Sequence, residues 1–131
     1  MSPSADVLAE RAAAAARHSH SPYSGFAVGA AVRWSDGAVT TGTNVENASY
    51  PLTVCAERNA VAAGVGEGRR EIAEVAVWAD VDEVVSPCGG CRQVLVEFAP
   101  DPAAVVVHLC GRGARRSVTL AELLPQAFRP S

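Results

Sequence analysis

Ala104-Val105-Val106-Val107-His108-Leu109-Cys110, followed by the turn Gly111 to Arg116 and then by Ser117-Val118-Thr119, decides the shape of the sheet. The first run is apolar and rich in β-branched residues, so it reads as a buried strand. The turn after it is far too short for the crossover that a parallel partner needs. Ser117 to Thr119 is therefore expected to pair antiparallel to it. Upstream, Ile72 to Ala79 reads as another buried strand. Between the two lies an expected helix from about Cys88 to Phe98, preceded by Ser86-Pro87.

The rest of the chain extends this core. Thr119 with Glu122 makes a capping box for a last short helix, which ends at Leu124-Pro125. Phe26 to Trp34 and Val39 to Val45 flank Ser35-Asp36-Gly37 and read as a hairpin. An alanine-rich helix is expected from Ala5 to His18, with Ser4 as its N-cap, and then a loop from His20 to Gly25. Glu46 to Thr53 is a polar loop around Pro51, and Cys55 to Val65 reads as a helix ending near Gly64 and Gly66. The order α-ββ-α-β-α-ββ-α implies an α/β fold, a three-layer α/β/α sandwich with a mixed five-stranded sheet. A length of 131 residues suits a single domain spanning residues 1–131.

Composition narrows the function. With 49% hydrophobic and 19% charged residues, the chain reads as globular. A net charge of −3 argues against a nucleic-acid polymer as partner, because phosphate binders show a basic face. No apolar run is long enough to span a bilayer, and the N-terminus, which carries Asp6, Glu10, Arg11 and Arg17, lacks the apolar stretch of a secretory signal. The four cysteines are therefore expected in a reducing, cytoplasmic setting, where thiols bind metal more often than they pair.

Cys55 opens one expected helix, and Cys88 and Cys91, three apart, share a face at the start of another. Helix N-termini favour thiolate over thiol. Three thiolates give zinc an open fourth position for a water, and Glu57 stands two residues from Cys55 as a carboxylate able to carry protons. A structural site with Cys110 as fourth ligand is the competing reading, and a redox pair would need neither the third cysteine nor the Glu. Three thiolates and one Zn²⁺ sum to a net negative charge, which weakens the metal as a Lewis acid. Arg58, three residues after Cys55, is placed to offset it, and Gln93, two after Cys91, is a second candidate donor. His108, on a strand beside Cys110, reads as a sheet-face or core histidine.

These residues closely resemble the cytidine deaminases of the small homotetrameric zinc class. The resemblance covers Pro22-Tyr23-Ser24-Gly25-Phe26-Ala27-Val28-Gly29-Ala30-Ala31, Asn44-Val45-Glu46-Asn47-Ala48-Ser49-Tyr50 and Cys55-Ala56-Glu57-Arg58. It continues through Pro87-Cys88-Gly89-Gly90-Cys91-Arg92-Gln93-Val94 and Leu123-Leu124-Pro125-Gln126-Ala127-Phe128. It implies one zinc per chain on Cys55, Cys88 and Cys91, with Glu57 moving protons as cytidine or 2′-deoxycytidine is hydrolysed to uridine or 2′-deoxyuridine and ammonia, a step of pyrimidine salvage. It implies that Asn44 and Glu46 bind the ribose, that Phe26 packs on the nucleoside and that the Ala56 N–H meets the base carbonyl. Ala48, Tyr50 and Phe128 correspond to positions that reach a neighbouring subunit's site, which implies a homotetramer with shared active sites. Gln126, where many members carry Gly, departs from the pattern without touching the metal set. Deamination of a modified cytosine nucleoside in a secondary-metabolite pathway, and a binding module held by structural zinc, are the alternatives.

Overall fold

Strands here alternate small or polar residues on one face with larger apolar ones on the other, and helices cover both faces. The computed structural model describes residues 3–130. Helix α1 (Pro3–Ala16) is followed by β1 (Val28–Trp34), β2 (Val39–Thr43), α2 (Ala56–Gly66), β3 (Ile72–Ala79), α3 (Gly89–Glu97), β4 (Val106–Cys110), β5 (Arg115–Thr119) and α4 (Leu120–Leu123). Short 3-10 turns at Tyr50–Leu52 and Pro102–Ala104 interrupt the loops.

The sheet runs β2-β1-β3-β4-β5. Only β3 and β4 are parallel, joined through α3, while β5 returns antiparallel to β4 with Cys110 opposite Arg115. Leu8 and Ala12 of α1 pack on Ala31 and Ala76 on one face. Ala60, Leu95 and Leu120, from α2, α3 and α4, pack on Val32, Trp34, Val75 and Val107 on the other. This is the expected α/β/α sandwich with a mixed five-stranded sheet. Gly42 of β2 sets how closely α2 sits: a Cβ there would lie 2.6 Å from the Ala56 carbonyl oxygen. The first turn of α2 thus rests directly on the sheet.

Several boundaries differ from expectation. Among the described residues the first helix already runs from Pro3, so Ser4 lies inside it and is not its N-cap. Proline's fixed φ suits a first helical position, and the Ser4 hydroxyl instead donates to Glu74 Oε1 at 2.8 Å. Strand β1 starts at Val28 and not Phe26, because the Asn44 side chain takes the place of a pairing strand. Asn44 Oδ1 accepts from the Val28 N–H at 3.0 Å and its Nδ2 donates to the Phe26 carbonyl at 2.8 Å. The capping box forms as expected, with the Glu122 N–H donating to Thr119 Oγ1 at 3.2 Å and the Thr119 N–H to Glu122 Oε1 at 3.1 Å. Among the described residues, no helix is long and apolar enough to cross a membrane.

Candidate active site

Cys55 and Cys88 are the N-cap residues of α2 and α3, and both have extended backbones. Neither side chain makes a capping bond to its own helix, so both sulfurs are left for a shared cluster. Cys91 lies one turn into α3 and is fully buried. The three sulfurs lie within 4.8 Å of one another, with Cys88 and Cys91 3.4 Å apart. Zinc–sulfur bonds of about 2.3 Å place tetrahedral ligands roughly 3.8 Å apart, so the donor set fits zinc.

Cys110 does not join them. It is buried at the end of β4, with its Sγ 3.8 Å from the His108 carbonyl oxygen. Among the described residues, the group able to hold a metal is Cys55, Cys88 and Cys91 alone. Among the described residues no fourth protein ligand joins them, which argues against the structural four-cysteine reading.

The sulfurs share one electrostatic problem. Cys55 is drawn down to about 5, first by the hydrogen bond from the Cys91 thiol, against the opposing effect of burial, and then by the hydrogen bond and charge of Arg58. Cys91 is pushed up, first by that same hydrogen bond to Cys55 and then by burial. The cluster keeps a proton until a cation replaces it. Arg58 stays on the solvent side, where its Nη2 donates to the Thr53 carbonyl at 3.3 Å. Gln93 does not serve the sulfurs. Two residues beyond Cys91 it points to the far side of α3, and its Nε2 donates to the Phe128 carbonyl at 3.1 Å.

Glu57, in the first turn of α2, is 5% exposed. Burial pushes its carboxyl up, and the nearby Cys55 charge adds to the effect. It opens on a cavity of about 260 Å³ whose lining includes Phe26, Asn44, Cys55, Ala56, Val85 and Cys88. Seven residues singled out in the sequence thus converge: the three cysteines, Glu57, Ala56, Phe26 and Asn44.

Others do not converge within one chain. Glu46 and Tyr50 line a neighbouring recess with Tyr23, Ser24 and Thr53. The Glu46 carboxylate accepts from the Tyr23 and Ser24 N–H groups at 3.0 and 3.1 Å and from the Ser24 hydroxyl. Tyr50 meets Tyr23 edge-on with ring centroids 5.8 Å apart. Ala48 is exposed on the same loop, and Phe128 is 74% exposed. Arg92 received no role from the sequence. Its Nε donates to the Pro87 carbonyl at 2.8 Å and its Nη1 to the Leu123 carbonyl at 2.7 Å, which pins the Cys88 loop to α4. An arginine directly after the last ligand was the only signal for it.

Comparison with known proteins agrees with this geometry. Residues 3–109 match the cytidine and deoxycytidylate deaminase zinc-binding region. A cytidine deaminase from Halalkalibacterium halodurans is 45% identical over 122 residues, 93% of this chain and 92% of that protein. The crystal structure of cytidine deaminase from Burkholderia pseudomallei superposes with a TM-score of 0.89 at 41% identity, covering 98% of this chain and all of that one. A blasticidin-S deaminase from Bacillus cereus is 33% identical over 109 residues, 77% of this chain and 76% of that protein. The chain belongs to the cytidine deaminase family.

Proposed function

We propose that this protein is a zinc-dependent hydrolase that deaminates cytidine and 2′-deoxycytidine, releasing ammonia. The observation that carries the reading is the three-sulfur site with no fourth protein ligand, set in one cavity with a buried carboxyl. Zinc bound there supplies polarisation of a water oxygen. Glu57 takes a proton from the water and delivers it to N3 of the cytosine ring while the oxygen adds to C4. A further proton passes through Glu57 to the 4-amino nitrogen, the C4–N bond breaks, and ammonia and uridine result. A buried carboxyl with a raised pKa suits both directions of transfer. Arg58 offsets the thiolate charge from outside.

Phe26 packs on the base, and the Ala56 N–H, at the start of α2, meets the base carbonyl. Asn44 stands at the cavity wall and Glu46 at the adjoining recess, and together they hold the ribose. A site built around sugar hydroxyls rejects a free base, which would leave its polar groups unpaired. Tyr23 and Tyr50 line this recess and are exposed, as are Val45, Leu52 and Phe128. Such apolar surface supports a homotetramer in which Ala48, Tyr50 and Phe128 serve a neighbour's site. The four free thiols suit a cytoplasmic protein, and residues 1–131 form one domain.

The test is direct. Purified protein with one zinc per chain is supplied with each nucleoside, and ammonia and the uracil product are measured. Zinc-loaded protein that releases no ammonia from either nucleoside sinks the proposal.

A further inference from the structure

The cavity wall that leads into Cys88 has weak support of its own. It is formed by the segment Asp82 to Pro87, between β3 and α3, which brings Val85 and Ser86 to the cavity. Among the described residues, no backbone–backbone hydrogen bond reaches Asp82 to Pro87. The segment hangs between two arginines. Arg92 holds its far end at Pro87. Arg112, from the turn between β4 and β5, holds the near end.

That near-end grip has several parts. The Arg112 N–H donates to the Val81 carbonyl at 2.7 Å. Its Nη1 donates to the Asp80 carbonyl at 3.1 Å and to Asp80 Oδ1 at 3.0 Å, and its Nε donates to Asp82 Oδ1 at 3.2 Å. Gly111 admits the close approach: a Cβ there would lie 2.7 Å from the Val81 carbonyl oxygen and closer still to that of Glu83. Phe26 and Val85 line both the metal cavity and a second recess, of about 450 Å³, which Arg112 also lines. The two recesses thus share those two residues, and Arg112 belongs to the second.

We propose that Arg112 is a positioning residue for substrate binding, holding Asp82 to Ser86 where Val85 closes the nucleoside cavity. The proposal rests on the deaminase reading. It involves no group that reacts. A segment that leaves its binding-competent position for part of the time lowers apparent affinity in proportion to the fraction that stays competent, and saturating substrate restores it. Loss of the clamp therefore raises KM and leaves kcat in place.

The experiment compares wild type, Arg112→Ala and Arg112→Lys as zinc-loaded proteins, with cytidine as substrate and limited proteolysis by a Glu-specific protease at Glu83 as a second readout. Arg112→Ala raises KM roughly three- to tenfold, the factor that one or two exposed ion pairs can supply. Its kcat per bound zinc stays near wild type, and cleavage at Glu83 becomes faster. Arg112→Lys, which keeps a charge for the two aspartates, recovers part of the KM. An unchanged KM overturns the proposal, as does a fall in kcat at constant KM, the mark of a residue that only supports the fold. Unchanged cleavage at Glu83 overturns it as well. Wild-type protein that does not deaminate cytidine or deoxycytidine overturns the deaminase reading, and the KM claim falls with it.

Discussion

Glu74 of β3 and His108 of β4 form a buried pair beneath α1, with Oε2 and Nε2 2.5 Å apart. Glu74 Oε1 also accepts from Arg33 Nη2 at 2.7 Å and from the Ser4 hydroxyl at 2.8 Å, while His108 Nδ1 lies 2.8 Å from Ser117 Oγ. One carboxylate thereby links α1, β1, β3 and β4, and the histidine extends the chain of bonds to β5.

Acid should weaken the fold through this carboxylate. Burial alone would raise the Glu74 pKa, but hydrogen bonds from His108, Arg33 and Ser4 outweigh it and hold the group below its usual value. A depressed pKa stabilises the folded state fully above the unfolded carboxylate value and loses that stabilisation as pH falls through the folded one. Urea midpoints of wild type should therefore drop below about pH 4.5. Glu74→Gln should cost about 3 kcal/mol at neutral pH, because it leaves the buried partners without their counter-charge, and should show a shallower acid dependence. Equal acid slopes for the two proteins would remove Glu74 from this role.

Glu57→Gln keeps the size of the side chain in the cavity and removes the carboxyl proposed to carry protons. Zinc content should stay near one per chain, and kcat should fall by about 10²- to 10⁴-fold. The check is metal analysis and turnover on the same sample, and a variant with full activity would show that another group moves the protons.

Arg58→Ala removes the cation beside the sulfurs without touching a ligand. Turnover should fall by about tenfold while zinc content changes little. Activity equal to wild type would make Arg58 a surface residue anchored on Thr53.

Cys110→Ser tests the open coordination. Cys110 lies apart from the metal group, so the variant should hold as much zinc as wild type and keep its activity, with a stability loss of about 1 kcal/mol. Loss of the metal in this variant would restore a four-cysteine structural site.

The layers, the strand Ile72–Ala79 and the three ligands were legible from the sequence, because each follows from local pattern: apolar runs, turn lengths and cysteines at helix starts. Orientations in the loops were not. Asn44 looked like a turn residue beside its expected ribose role, yet it also bonds residues 26 and 28, a partnership across a hairpin that no local window contains. Gln93 looked like a donor to sulfur by nearness in sequence, whereas helical geometry turns it to Phe128. Arg112 meets Asp80 across 32 residues, so only the folded chain reveals the pairing. The exposure of the Tyr50 and Phe128 rings is likewise set by the folded chain, and no local pattern around either residue announces it.

Cys55 and Cys88 open their helices without the side-chain bond that a serine, threonine or aspartate would make there. Each such cap is worth about 1 kcal/mol. The apo-fold therefore forgoes a stabilisation that ordinary helix starts enjoy, at the two positions where a stability screen would first look for improvement. Selection for thermal resistance alone, in the absence of metal, should enrich Ser or Asp at positions 55 and 88 and return a sturdier protein with no chemistry, a trade-off between endurance and activity confined to two residues.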